Sequence, residues 1–442
     1  MKACIDLLSI GMMVLIGYLL VLWGGGTLEQ TGQYLQQVPW ILLFLVMGMI
    51  LIFCFARKAD IKQRYVQVLF AFIRYLCISC AFRARMGSLT SYYGMPEFEV
   101  FFLITLCVIC IFKMIQMYVM TKLGCFLASM ISFILLFVSM GANKTGIKIQ
   151  GVSIQMLILV VVCSLVVIFP WLLGMGTMHQ RKKRIGISFV LLAVQCMLFL
   201  KASECGTMLV LLVSFWMIWM RFCKIQHMRK IQFLSSITLV FAGGVTFSYI
   251  KYVYGKFIMG GYAGKDLSLM QNIAVKAAKR LFQTDPYQYE LGIKAVWRGG
   301  LLGKGREFLV NIPNAVTDLP LLHSIQIFGW IALGFILFLL LHLMRTMVFA
   351  NCEETAKQKD GYSQLRDEAI LGFFLSSILI NLFSETTGVI IGIPLLFLSR
   401  ASSWNLVACI LLAIYISTPD MTMSAVKNLK DKYARCLNVG RG

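Results

Sequence analysis

Residues 298–308, RGGLLGKGREF, combine four glycines with three cations in a chain that is otherwise mostly apolar. The cations are Arg298, Lys304 and Arg306. Lys and Arg beside a glycine-flexible backbone can come close to a phosphate, because no Cβ blocks the approach of the main chain. The expected chemistry of this stretch is therefore phosphate binding. The alternatives are a flexible turn and cations that only contact lipid headgroups.

The stretch does not fit a nucleotide-binding P-loop. That loop has the pattern GxxxxGK[ST], in which the Ser or Thr hydroxyl binds magnesium. Residues 299–304 run GGLLGK, one residue too short, and Gly305 stands where the hydroxyl is required. No strand is predicted before the stretch, and the topology derived below places it outside the cell. The expected phosphate therefore belongs to a ligand other than ATP.

The composition of the chain is that of a membrane protein. Of its 442 residues, 59% are hydrophobic and only 14% are charged, whereas soluble domains have about a quarter charged residues. Apolar runs of about 18 or more residues recur, which is the length that crosses about 30 Å of hydrocarbon. The alternating segments of a membrane β-barrel are missing from the sequence. We expect an all-α polytopic membrane protein.

The apolar runs predict about twelve transmembrane helices. The third is the weakest, because Arg74 lies at its middle; an amphipathic helix on the surface is the alternative. The predicted spans are 7–24, 38–56, 64–82, 99–120, 123–141, 153–174, 185–202, 206–222, 231–250, 320–344, 367–388 and 394–417.

Basic loops set the expected orientation. The net charge is +22, and much of the excess lies in short loops at 57–64, 179–184 and 221–230. Because such loops stay in the cytoplasm, we expect them there together with both termini. The charge is thereby explained without nucleic acid, which is not an expected partner. Arg83 and Arg85, after the third span, are the exception and fall outside.

Residues 251–319 form one long connection on the outer side. They carry ten Lys and Arg against five Asp and Glu. Loops of this length usually have a function, and a basic, partly apolar outer loop suits an anionic amphiphile such as a lipid-linked phosphate.

Of the fourteen Cys, nearly all lie in apolar runs, where they act as small hydrophobes. Neither CxxC pair has a second ligand pair, so no metal site is expected.

The glycine-rich stretch and its neighbours resemble a known family. They read YQ, AVWRGGLLGKG and IPNAVTDLPLLHSIQIFGW, and are similar to YQ…AIGSGGLxGKG…LPExxTDFIFAxxxEELG of the SEDS family, the RodA, FtsW and SpoVE proteins of bacterial shape, division and sporulation. The matching positions are Tyr287, Gln288, Ala295, Gly299, Gly300, Leu301, Gly303, Lys304, Gly305, Pro313, Thr317, Asp318 and Gly329.

Three further stretches follow in the family's order. Residues 141–155 are similar to GAxxWIxxGxxSxQPSE, residues 203–212 to PDLGTALLLL, and residues 392–405 to GIPLPFLSYGGSSxx. The resemblance implies a family core of ten spans, so the extra pair would come from the N-terminal region. The expected units are the N-terminal segments 1–122, the first part of the core 123–250, the long outer loop 251–319, the last three core helices 320–418 and a basic cytoplasmic tail 419–442.

The resemblance also implies a function. Family members polymerise lipid II, an undecaprenyl-pyrophosphate disaccharide-peptide, into glycan strands outside the bacterial cytoplasmic membrane, usually with a class B penicillin-binding transpeptidase. A peptidoglycan glycosyltransferase is therefore expected, with membrane lipids around it, at most a divalent cation (Mg²⁺ or Mn²⁺) and no organic cofactor. A non-catalytic scaffold and a lipid-precursor flippase are the alternatives. Against the flippase, the sequence has neither an inverted repeat nor paired broken spans.

The family's essential aspartate precedes the YQ pair in an Asp-Pro context. Asp285 stands in that position here and is the expected general base for the attacking sugar hydroxyl, with Asp266 and Glu290 as alternatives. Thr317 and Asp318 have helix capping as an equal alternative role. The expected substrate-binding residues are Gln288, Arg298, Gly300, Lys304, Arg306, Thr317, Asp318 and Arg400.

The chain departs from the family inside the membrane. Met156, Leu157 and Ile158 replace the Pro, Ser and Glu of the QPSE motif, and no lysine follows in that span. Charges in a membrane are costly and normally functional, so their replacement by apolar residues favours the scaffold alternative. Arg400, in place of the family's tyrosine, is expected near the outer face. The chain therefore resembles a divergent member of the family.

Overall fold

The structure is a computed structural model, and it describes the greater part of the chain. The described residues are 2–55, 59–86, 97–119, 122–141, 146–149, 152–174, 178–202, 204–259, 271, 274–275, 278, 286–303, 319–351, 361–387, 393–399 and 402–417.

Helices account for most of the described chain. Eight helical stretches among the described residues, one of them 157–174, are long and apolar enough to cross a membrane, and every predicted span overlaps helix, so the chain is an all-α polytopic membrane protein. Helices suit a bilayer because they satisfy their own backbone hydrogen bonds. Their bounds are α1 Lys2–Trp23, α2 Leu28–Phe55, α3 Ala59–Arg85, α4 Glu97–Val119, α5 Lys122–Gly141, α6 Met156–Cys163, α7 Phe169–Gly174, α8 Met178–Lys201, α9 Cys205–Ile225, α10 Arg229–Val253, α11 Pro286–Gly299, α12 Pro320–Ala350, α13 Gly361–Thr387 and α14 Ser402–Ser417.

The doubtful third span is a central helix of the bundle. In α3, 83% of the residues in the apolar stretch that could cross the membrane are buried, and the helix packs against α1, α2 and α12. Its Arg74 donates to the Asp6 carboxylate at 2.6 Å and to the Ser9 hydroxyl at 2.8 Å, both on α1. An ion pair in the membrane offsets the cost of burying each charge. The surface-helix alternative is therefore wrong.

Two spans start later than predicted. Residues 153–155 belong to an antiparallel hairpin, β1 Gly146–Ile149 with β2 Val152–Gln155, in which Gly146 pairs with Gln155. The span therefore begins at Met156, and a π-helical turn, Ser164–Ile168, joins α6 to α7. Likewise α14 begins only at Ser402, because turns occupy 393–399.

The span 320–344 was predicted as continuous, but α12 is broken at Gly329. The backbone there has φ 82° and ψ 178°, which is not helical. The first half therefore ends at Phe328, and the second half starts at Trp330. One broken helix is not a pair of broken spans, so the prediction that paired broken spans are missing stays a prediction.

The two ends of the bundle differ in character. One end carries exposed cations such as Lys182, Lys224 and Arg229; we call it the basic end. The opposite end holds the start of α12, the end of α3 and residues 299–303; we call it the glycine end.

Candidate active site

At the glycine end, the loop after α11 docks onto the break in α12. The backbone N–H of Trp330 donates to the Gly300 carbonyl at 3.1 Å, and that of Ile331 to the Leu301 carbonyl at 3.2 Å. A helix that starts anew leaves its first N–H groups without intrahelical partners. The carbonyls of Gly300 and Leu301 thus cap the second half of α12. We call residues 299–303 together with 325–331 the glycine junction.

Three glycines make this junction possible. A Cβ added at Gly299 would lie closer than 3.0 Å to the carbonyl of Ile325, and one at Gly303 closer than 3.0 Å to that of Ile327. A Cβ at Gly329 would meet the Leu301 carbonyl in the same way. The backbones of loop and helix therefore touch directly, and side chains at these positions would separate them.

Gly300 differs from the other glycines of the junction. It has φ +60°, and a Cβ built on it would find open space within 4 Å. Its conformation favours glycine, but its outer side is exposed. The predicted substrate contact at Gly300 stays a prediction, and open space at this position leaves room for a ligand beside the backbone.

Aromatic side chains surround the junction on the outside. The indole N–H of Trp23 donates to the Leu302 carbonyl at 3.2 Å, and Trp297 is 83% exposed beside Arg298, whose side chain is also exposed. Exposed Trp residues are typical of the membrane–water interface. The junction therefore has the character of a site at headgroup depth, with one cation at its edge.

Beneath the junction lie the two arginines that were expected outside. The side chain of Arg83 is fully buried in an ion pair with Glu97 of α4, and Arg85 is 3% exposed and donates to the Gly24 carbonyl. Since buried charges need partners, the pairing explains how α3 can end with arginines inside the bundle. These two side chains are therefore buried at the end of α3 rather than part of a loop, while the side of the membrane on which they lie stays a prediction.

Glu385, near the end of α13, caps the start of α12. Its carboxylate accepts the N–H groups of Leu321 at 3.3 Å and Leu322 at 3.0 Å. A buried carboxylate is favourable there because it faces the positive end of the helix dipole. No side chain caps the helix from the Ncap residue Leu319 itself. Sequence reasoning did not single out Glu385, although an acid at the end of an apolar span was a usable signal.

His323 lies one turn into α12 and is half-buried. Its Nδ1 has no hydrogen-bond partner among the described residues.

The predicted site residues fall into two groups. Arg298 and Gly300 are described and lie at the junction, and Gln288 belongs to α11. The alternative base Glu290 is exposed on α11, and Asp266 lies outside the described residues. Also outside them are Asp285, Lys304, Arg306, Thr317, Asp318 and Arg400.

The described residues do not fit a divalent-metal site. Among them, no three His, Cys, Asp or Glu side chains come together. The buried carboxylates of Glu97 and Glu385 have an arginine and helix N–H groups as partners. Mg²⁺ and Mn²⁺ require several oxygen ligands. We therefore assign no step to a metal.

The positions of the missing QPSE motif are part of the apolar core. Leu157 is 3% exposed, and Ile158 is fully buried. The hairpin strand β2 and α6 both pack against α14, which also contacts α4. Apolar side chains thus fill the positions at which the resemblance would imply an intramembrane charge.

We expect Glu97→Gln to lower the free energy of unfolding by about 3 kcal/mol, because Arg83 would stay buried without its carboxylate. Denaturant titration in detergent micelles measures the change. The control is Glu29→Gln, an exposed carboxylate on α2, with an expected change within about 0.5 kcal/mol. An unchanged Glu97→Gln protein would show that the ion pair does not stabilise the fold.

No family model matches the chain, and no curated protein is significantly similar to it. Among solved structures, the chain is similar to one in "Structural coordination of polymerization and crosslinking by a peptidoglycan synthase complex". The two share 14% sequence identity over 86% of this chain and 95% of that chain, with a TM-score of 0.45.

Proposed function

We propose that the chain is a divergent SEDS glycosyltransferase that polymerises lipid II in the bacterial cytoplasmic membrane. The glycine junction supports this best. Gly299, Gly303 and Gly329 are three of the positions that carry the resemblance, and they meet in one interlocked backbone contact. Two separate parts of the motif therefore form a single structural unit. If the glycine-rich loop matched the motif only by chance, there would be no reason for the two parts to be in contact.

In the proposed reaction, the general base Asp285 takes the proton of a sugar hydroxyl. The hydroxyl oxygen bonds to the anomeric carbon of lipid II while the bond from that carbon to the pyrophosphate oxygen breaks. The undecaprenyl pyrophosphate leaves with the electron pair. Cations placed where negative charge develops stabilise the transition state, and Arg298, Lys304 and Arg306 have this role in the proposal.

The remaining predicted residues bind the substrate in this proposal. The outer face is the glycine end, both termini lie in the cytoplasm, and a class B penicillin-binding protein is the partner that cross-links the product. The residues that contact the substrate in this proposal, through either the side chain or the backbone, are Gln288, Gly300, Thr317, Asp318 and Arg400.

The test is polymerisation by the purified full-length protein. It would be given labelled lipid II with and without Mn²⁺, together with a class B penicillin-binding protein, and the products separated by gel electrophoresis. Glycan chains that depend on the protein are expected. If no chains form while the partner still binds, the glycosyltransferase proposal is wrong.

A non-catalytic scaffold is the second candidate. The buried apolar side chains of Leu157 and Ile158 favour it, because the family has an intramembrane charge in that motif. The scaffold function predicts partner binding without polymer. If lipid II becomes accessible to a probe outside the membrane only when the protein is present, again without polymer, the result would instead indicate transport.

A further inference from the structure

A second polar site lies at the basic end, far from the glycine junction along the helices. It is a cavity of about 900 Å³ between α9, α10 and the start of α13. Three cations line it: Arg221, Lys224 and Arg229. His227 lines it as well, and no carboxylate does so among the described residues.

Two of the three cations, Arg221 and Arg229, are short of counter-charge among the described residues. Arg221 is half-buried, and its Nε is buried without a hydrogen-bond partner in the described part of the chain. Neither Arg221 nor Arg229 has a carboxylate partner among the described residues. Like charges gathered in a partly enclosed space repel one another, so a bound anion would lower the energy of the cavity.

The backbone adds to the positive potential. Helix α10 begins at Arg229, and its Ncap residue Met228 gives no side-chain cap. The first N–H groups of such a helix are available to an anion, and the helix dipole favours negative charge there. Gln232, one turn further on, also lines the cavity and offers a neutral donor.

Part of the wall is apolar, which points to an amphiphile. Met220, Ile225 and Phe233 line the same cavity, and Phe233 is 70% exposed. A small inorganic anion would leave these side chains without a partner. An anion that carries acyl chains would contact both the cations and the apolar wall.

We propose that this cavity binds the phosphodiester headgroup of an anionic glycerophospholipid. Basic pockets between transmembrane helices on the cytoplasmic side are suited to anionic headgroups, and the basic end is the one that we propose faces the cytoplasm. The inference does not depend on lipid II polymerisation. It gives the protein a lipid contact in the leaflet opposite the glycine junction.

Lipid retention by the full-length protein tests the proposal. The protein would be purified in dodecyl maltoside and given phosphatidylglycerol or phosphatidylcholine with identical acyl chains, and bound lipid would be counted by native mass spectrometry. We expect at least tenfold tighter retention of phosphatidylglycerol. The double variant Arg221→Gln/Arg229→Gln should lose at least tenfold of that affinity and keep its affinity for phosphatidylcholine.

Two further variants make the test specific. Lys182→Gln/Lys183→Gln removes the same two charges from exposed positions of α8 and should leave the preference unchanged. Gln232→Trp adds a bulky ring to the wall of the cavity without changing the charge and should weaken the preference at least tenfold, which decides the question if the double cavity variant does not fold. Equal retention of both lipids by the wild type would overturn the proposal. So would an equal loss in the Lys182/Lys183 control, or displacement of phosphatidylglycerol by millimolar inorganic phosphate.

Discussion

Gly329→Ala is expected to lower the free energy of unfolding by about 4 kcal/mol. The conformation at Gly329, φ 82° and ψ 178°, is one that essentially only glycine adopts, and a side chain there stores up to about 3 kcal/mol of strain. The new Cβ would also push against the backbone of Leu301 and Gly303. Separation of loop and helix would then weaken two backbone hydrogen bonds, each worth about 1 kcal/mol.

Denaturant titration of the purified variant in detergent micelles measures this loss. Gly334→Ala is the matched control, because Gly334 lies on the same helix, has open space around an added Cβ and has no positive φ. It should be neutral or slightly stabilising, since Ala is the better helix former by up to about 1 kcal/mol. Equal stabilities of the two variants would mean that the break in α12 is not held by the junction.

The apolar runs were sufficient to predict the helices but not their interruptions. Each predicted span overlaps helix because a membrane-length apolar run has few other ways to satisfy its backbone. The break at Gly329 depends on a loop almost thirty residues earlier, whose carbonyls take over the lost hydrogen bonds. Hydropathy along the chain carries no information on such a contact.

The roles of the glycines were only partly predictable. The sequence suggested that glycines allow a phosphate to approach, and Gly300 retains that possibility. The structure uses Gly299 and Gly303 for backbone packing instead. The two uses need the same residue type, so composition and spacing cannot distinguish them. Which use a glycine has depends on whether another backbone segment packs against it in the fold.

Charges near the ends of spans were misread for a similar reason. The positive-inside rule treats an arginine by its position in the sequence, and it placed Arg83 and Arg85 in an outer loop. In the structure Glu97, fourteen residues later, pairs with Arg83 inside the bundle. A single sequence shows the two charges but not that they meet.

Asp285→Asn is expected to reduce glycan polymerisation by at least about 100-fold, the lower range of what a general base contributes. The amide keeps the size of the side chain but cannot take the proton of the attacking hydroxyl. Lipid II binding should change far less than the rate, because Arg298, Lys304 and Arg306 are unaltered. Single-turnover polymerisation and lipid II binding, measured on the same preparation, separate the two effects.

Two neighbouring carboxylates serve as controls for that assignment. Glu290→Gln changes an exposed side chain on α11, five residues from Asp285, and should keep near wild-type activity. Asp266→Asn tests the other alternative base in the same loop. If Asp266→Asn or Glu290→Gln loses activity while Asp285→Asn keeps it, the base is not Asp285, although the glycosyltransferase proposal would stand. If all three variants keep their polymerisation activity, a group other than these three carboxylates takes the proton.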